Sequence, residues 1–312
     1  MANFTGTGLV WNLPNYVGEL YTSAMLETPF LSMIGGINGG QMTGNFEFAT
    51  DSLYDHDDLE QKSITENQSL TAPDARTFVR GQSKNVTQIF HETVSISYVR
   101  QSNQQRLSGI NTAGSQNNVV SEKDWQIAKT IEKIARQVEW HFLRGTYAIA
   151  TNQNEPNQTR GILNNCGVDI NANSAALSKE LIDQLMLEMF TSGAQFRMPT
   201  LLCNGRNLQI LSDIYGFPPD SRTVGGVDVR TLLTNFCTLN IAPAHRMMPT
   251  DTIAIVDLAV CDPVFQPVPD KGNFFYEELA KTGAAEEGMI FGQIGLAHGP
   301  DFLHGKIRGL AV

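Results

Sequence analysis

The densest run of potentially reactive side chains is Asp51, Asp55, His56, Asp57, Asp58 and Glu60, followed in the same stretch by Arg76, Arg80 and Lys84. Carboxylate oxygens suit hard cations, but the Asp-x-Asn/Asp-x-Asn/Asp-Gly order of a calcium loop is absent. Two readings remain: a solvated loop tip, or a contact between subunits in which the basic residues supply the opposite charge. Exposed pairs of this kind are worth about 0–1 kcal/mol each, so they set orientation more than affinity.

Other chemistries fail on spacing. Gly299 to Lys306 resembles a phosphate-binding loop, but it has five residues between its glycines, Ile307 where a hydroxyl is required and no helix after it. The glycines around Gly36 and Gly40 lack the strand and helix of a dinucleotide fingerprint, and no Gly-x-Ser-x-Gly elbow occurs. His91-Glu92 opens like a zinc-protease motif, but position 95 is Ser and the local pattern is that of a strand. The histidines are scattered, and His141 reads as a polar-face or satisfied side chain of a helix. Cys166, Cys203, Cys237 and Cys261 form no close pair, which argues against zinc and redox motifs and for buried free thiols. Asn-x-Ser/Thr triplets at Asn3, Asn67, Asn85 and Asn157 carry no meaning without a secretory route. No catalytic residue, cofactor or metal is expected.

A formal charge of −10 and the lack of any Lys/Arg cluster exclude tight nucleic-acid binding. If DNA is nearby, an acidic wall that does not adhere to it is the better picture. With no signal peptide and no apolar run of about 20 residues, a soluble protein made in the cytoplasm is expected.

The elements that must position these residues follow the chain. Residues 1–13 read as an arm with Trp11 as an isolated anchor. After Pro14, Val17, Leu20, Tyr21 and Ala24 recur at helical spacing until Thr28-Pro29. Phe30, Leu31, Met33 and Ile34 form an apolar knot. From 45 to 100 the text is extended, with Phe46 and Phe48, then Val94, Ile96 and Tyr98, alternating with polar residues. The connection between them is long, polar and poor in core residues, and such connections are uncommon inside a compact domain.

The strongest element is a helix over 122–144 with Ser121 as N-cap and Ile127, Ile131, Ile134, Val138 and Phe142 in one stripe beside Ala128 and Ala135. A second helix covers 179–191, capped by Ser178. Residues 196–264 read as an α/β unit, with a strand at 200–203 and a helix capped by Asn204. Phe274–Tyr276, Met289–Leu296 and Lys306–Leu310 return to strand.

This order resembles the major capsid proteins of tailed bacteriophages with the Hong Kong 97-type fold, over nearly the whole chain. Thr28-Pro-Phe-Leu-Ser-Met-Ile-Gly35 looks like their "TPF" opening. Arg160-Gly-Ile-Leu163, Gly226-Val-Asp-Val229 and Ala242-Pro-Ala-His-Arg-Met-Met-Pro249 resemble further family stretches. The resemblance implies an α+β fold: an N-terminal arm and short helix (1–44), an extended E-loop hairpin (45–100), a peripheral domain with a long spine helix (101–195 and 265–312) and an axial domain (196–264).

It further implies a virion protein that self-assembles through hexamers and pentamers into an icosahedral head around double-stranded DNA. Expected partners are itself, a scaffolding protein, a portal and decoration proteins, with no membrane. The chain starts almost directly at the arm, so a separate scaffolding protein is expected, unless a leading segment was cleaved. Candidate intersubunit contacts are Trp11, Asp55, Asp57, Asp58, Glu60, Arg76, Arg80 and Lys84. Lys62 and Lys84 lie where some members crosslink, but no feature singles out a partner. The competing readings are an encapsulating nanocompartment, a tail subunit, and an α/β hydrolase-like enzyme using Asp213, Asp228, Asp251, Asp257 and His245.

Overall fold

The computed structural model describes residues 28–37, 39–54, 63–72, 77–102, 122–216, 221–224, 227–244, 247–281 and 283–311. In chain order the elements are α1 (Pro29–Met33), β1 (Gln41–Met42), β2 (Glu47–Ala49), β3 (Leu53–Tyr54), α2 (Glu66–Ser69), β4 (Arg80–Gly81), β5 (Lys84–Val86), β6 (Gln88–Ser97), α3 (Tyr98–Ser102) and α4 (Glu122–Arg144). There follow β7 (Val168–Asn171), α5 (Lys179–Thr191), β8 (Pro199–Cys203), α6 (Gly205–Tyr215), β9 (Ser221–Val224), β10 (Val227–Leu233), β11 (Thr238–Pro243), β12 (Ile253–Asp257), β13 (Asp262–Phe265), β14 (Phe274–Glu278), β15 (Ala285–Ala297) and β16 (His304–Arg308).

The thirteen-residue β15 organises one sheet. It pairs antiparallel with β6 along ten positions, from Ala285↔Ser97 to Ile294↔Gln88, and with β14 and β13, to which β1 adds in parallel. Seven strands form the other sheet, in the order β7-β16-β12-β8-β11-β10-β9. Strand β12 shows why its sequence is continuously apolar: Ala254 and Val256 enter one core, Ile253 and Ile255 the other, so both faces are covered.

The first core joins α1, α4 and the β15 sheet through Phe30, Val138, Phe142, Ile290 and Ile294. The second lies under α5, with Leu185, Met186 and Met189 against Leu201, Ile255 and Ile307. Residues 168–189 and 303–310 thus pack with the strands of 199–257, in one sheet and one core.

Helix α4 ends where two glycines let backbone meet backbone. Gly161 donates its N–H to the Gly145 carbonyl at 2.8 Å, and a Cβ on Gly161 would stand 2.6 Å from the Gly145 nitrogen and 2.7 Å from the His141 oxygen. The glycine of Arg160-Gly-Ile-Leu163 is therefore a steric requirement for seating the following loop against the spine.

Three expectations need correction. Tyr98 begins a helix instead of extending the strand. Ser178 stands at the N-cap of α5, yet its side chain accepts no backbone hydrogen bond. Of the four free thiols, only Cys203 and Cys261 are buried, while Cys166 and Cys237 are half-buried. The Ser121 cap, the segment after Pro14 and Gly226 lie outside the described residues.

Candidate functional site

The stretch 45–100 divides in two. Phe90, Val94 and Ile96 are buried, so β6 belongs to the body and not to a projecting hairpin. The projecting part is shorter, from β2 to β5, and its base is closed by the pairs Glu47↔Val86, Phe48↔Asn85 and Ala49↔Lys84. Further out, β3 and β4 pair at only two positions, supported by Asp51, whose carboxylate accepts the Ser83 N–H at 2.7 Å, and by an edge-to-face Tyr54–Phe78 pair at 6.1 Å. The short α2 carries a full capping box between Thr65 and Gln68 and buries nothing.

This ribbon is apolar where it should be polar if it faced water. Leu53, Tyr54, Ile64, Leu70, Phe78 and Val79 are 40–81% exposed. Two-stranded ribbons are marginal in water without a surface to cover them.

The root of the ribbon is rigid. Asn85, fully buried, donates from Nδ2 to the carbonyls of Arg160 (3.1 Å) and Leu296 (2.7 Å), and its Oδ1 accepts the N–H groups of Val86 (2.9 Å) and Arg160 (2.7 Å). Thr87 adds a bond to Gln266 at 2.8 Å. One side chain thus ties the ribbon, the segment after α4 and the end of β15 together. Sequence reasoning passed over Asn85 as a sequon without meaning, since no periodicity marks a buried amide.

A second tie fixes the chain before the ribbon. Glu139, buried on α4, accepts the N–H of Phe30 (3.1 Å) and of Leu31 (2.6 Å), and so caps α1 in place of Thr28, which makes no side-chain cap. The signal was readable: position 139 lies one turn from both Ala135 and Phe142, so its charge falls on the apolar side.

Burial pushes the Glu139 carboxyl up from 4.5 to about 7, outweighing the two N–H bonds that lower it. The native chain therefore holds a proton that the unfolded chain has lost between these values. That stabilisation is whole below the unfolded value and is lost as pH rises through the folded one, on the order of 3 kcal/mol. His304 acts oppositely, because burial lowers it from 6.5 to about 4 and stability falls with acidification through that window. Glu139→Gln separates the two: the unfolding free energy of the parent minus that of the variant should decline from about pH 5 to about pH 8 in denaturant melts. A flat difference would contradict the assignment.

Of the expected contact residues, Arg80 is exposed on β4, and Lys84 pairs with Glu47 at 3.1 Å. Trp11, Asp55, Asp57, Asp58, Glu60 and Arg76 lie outside the described residues, as does Lys62. His91 and Glu92 lie in β6, and Glu92 pairs with Lys133 at 2.7 Å. The acids of the enzyme reading are otherwise engaged or apart: Asp257 is buried and accepts the N–H groups of Arg197, Met198 and Ala259, and Asp213 is exposed on α6. His245 and the side chain of Asp228 are outside the described set. Among the described residues no group of three or more His, Cys, Asp or Glu could hold a metal ion, and no helix is long and apolar enough to cross a membrane.

A spine helix on a long-stranded sheet, a second sheet with helices, and a ribbon rooted between them make up a fold of the Hong Kong 97 type. The capsid asymmetric unit of cyanophage A-1(L) shares the fold with a TM-score of 0.62 at 12% identity, covering 100% of each chain. The capsid of Myoviridae phage XM1 does so at 0.59 and 15% identity, over 98% of this chain and 99% of that one. The holo-SrpI encapsulin complex from Synechococcus elongatus PCC 7942 matches at 0.56 and 11%, over 94% and 92%. No curated protein matches by sequence. The chain belongs to the SU10 major capsid protein family, whose profile matches residues 3–311. It is a phage capsid component, assembled from many copies of the same polypeptide.

Proposed function

We propose that the subunit assembles through hexamers and, at the vertices, pentamers into an icosahedral head enclosing double-stranded DNA, and that its role is structural and not catalytic. The observation that carries this reading is the ribbon between β2 and β5, held firmly at Asn85 and apolar along its exposed length. Laid over an adjacent subunit, each large apolar side chain gains about 1.5–3 kcal/mol on burial. Closed symmetry repeats that gain around the shell. The 196–264 unit would surround the capsomer axis, the remaining body would form the periphery, and residues 1–13 would reach neighbours. The charge of −10 suits a wall that leaves packaged DNA mobile. Scaffolding, portal and decoration proteins would be its partners in the head.

The test is to express the full chain and examine it by size exclusion and electron microscopy. Closed shells, hexamers or pentamers are expected. The double variant Tyr54→Asp/Phe78→Asp should remain folded yet unassembled, since it places two charges where the ribbon needs an apolar cover. A monomeric parent whose ribbon is protected from hydrogen exchange would overturn the proposal. The encapsulin likeness favours one alternative, a compartment around cargo enzymes; shells from infected cells that hold protein cargo and no DNA would establish it.

A further inference from the structure

The chain passes from the end of β15 to the start of β16, and so from one sheet into the other, through residues 298–303. His298 opens this crossing and His304 follows it, and both rings are fully buried. Their hydrogen bonds fix their tautomers. The Nε2 of His304 lies against the His298 carbonyl, and the Nδ1 of His298 lies 2.9 Å from the Gly299 carbonyl. A carbonyl oxygen only accepts, so each of these nitrogens carries the hydrogen. The other two, His304 Nδ1 and His298 Nε2, therefore present bare lone pairs to the interior, and no described residue meets either.

The crossing is clasped by the segment after α4. Gly167 donates its N–H to the carbonyls of Asp301 (2.9 Å) and His304 (3.1 Å), and Asn165 donates from Nδ2 to Gly299 at 3.5 Å. Just before His298, the Leu296 carbonyl holds Asn85 and with it the root of the ribbon. The charged and titratable groups around His298 are Arg160 from the segment after α4, Asp51 from the ribbon and Asp301 from the crossing itself. Around His304 they are His298 and Asp257 at the end of β12. Asp51 and Asp257 are already committed to backbone N–H groups. A proton added to either lone pair creates both a buried charge and an N–H without an acceptor. Burial accordingly lowers both rings from the ordinary 6.5, His304 to about 4.

We propose that His298 and His304 form an acid-sensitive latch: while neutral they lock the crossing between the two sheets, and protonation opens residues 298–304 together with the root of the ribbon before either core unfolds. In the open state water accepts the new N–H and solvates the charge. The opening constant therefore rises as pH falls from the free value of 6.5 towards the buried one, by about tenfold per pH unit for each ring that is charged only when open. Glu139 has the opposite sign, so its titration does not imitate the latch. What a loosened ribbon does to assembly rests on the shell reading; the latch itself does not.

The test is hydrogen exchange of the full chain between about pH 6.5 and about pH 4.5, each rate divided by its intrinsic value at that pH. Opening constants at the Gly167, Leu303 and Val86 amides should rise by about a hundredfold or more, and those at Val138 and Leu185 far less. An equal rise at all five would mean global unfolding and overturn the latch, as would a flat response at any of the first three. His298→Asn combined with His304→Gln keeps an amide N–H in place of each ring donor and takes up no proton, so it should abolish the rise. An undiminished rise in that variant would assign the effect to carboxylates instead. Spectra of the parent chain with isotope-labelled histidine give a reading that needs no variant. At about pH 6, where a free imidazole is mostly charged, both rings should remain neutral, with the hydrogen on Nε2 of His304 and on Nδ1 of His298. Charged rings or the opposite tautomers would refute the proposal.

Discussion

Asn85→Ala is expected to lower the unfolding free energy of the unassembled subunit by on the order of 4 kcal/mol, with Lys84→Ala beside it costing less than about 1 kcal/mol. Asn85 is fully buried and makes four hydrogen bonds, so truncation leaves the N–H groups of Val86 and Arg160 and the carbonyls of Arg160 and Leu296 short of a partner with no water to replace it. Unmet buried groups cost more than a typical bond contributes. Against a total stability of about 5–15 kcal/mol this is a large share, and it falls where the ribbon, the segment after α4 and β15 converge. Lys84 shares the strand but faces solvent, paired with Glu47. Denaturant midpoints for the two variants decide the matter: equal losses would mean that the amide is not the tie described here.

Glu139→Ala is the second large effect, about 2–4 kcal/mol near pH 5, where the folded subunit holds the carboxyl protonated. The alanine removes both acceptors of the α1 N–H groups and leaves a void against Phe30, which is itself fully buried. The loss shrinks towards pH 8, where the parent must ionise this carboxyl in the interior and the variant need not. The local signature distinguishes a cap from simple packing. Amides of Phe30 and Leu31 should lose protection from hydrogen exchange before those of Val138 and Phe142. Simultaneous loss at all four would point to packing alone. The pH slope attributed to Glu139 should vanish with it.

Both residues show where reading the sequence stops. Helices with a clear 3.6-residue stripe were legible: 122–144 ends before Gly145, whose N–H closes on the His141 carbonyl, and 179–191 buries Ile182, Leu185, Met186 and Met189, although Leu181 on the same side is only half-buried. Asn204 caps α6 by accepting the Asn207 N–H. Periodicity also located β6, yet it could not say that the partner is β15, two hundred residues away. The acidic run and its basic companions drew notice because charge is visible in a string of letters. The amide that roots the ribbon did not, since burial is what gives it consequence.

The amino-acid sequence by itself determined the alternation of helix and strand, the helix ends, the absence of catalytic and metal-binding spacings, and the kinship with shell proteins. These depend on local periodicity and on residue types at short range. Only the tertiary structure decided which half of 45–100 projects, which polar side chains became internal ties, and how much of the α4 stripe its own core covers. Each of those depends on contacts between distant segments, where burial converts an ordinary Asn or Glu into a group whose every hydrogen bond must be met.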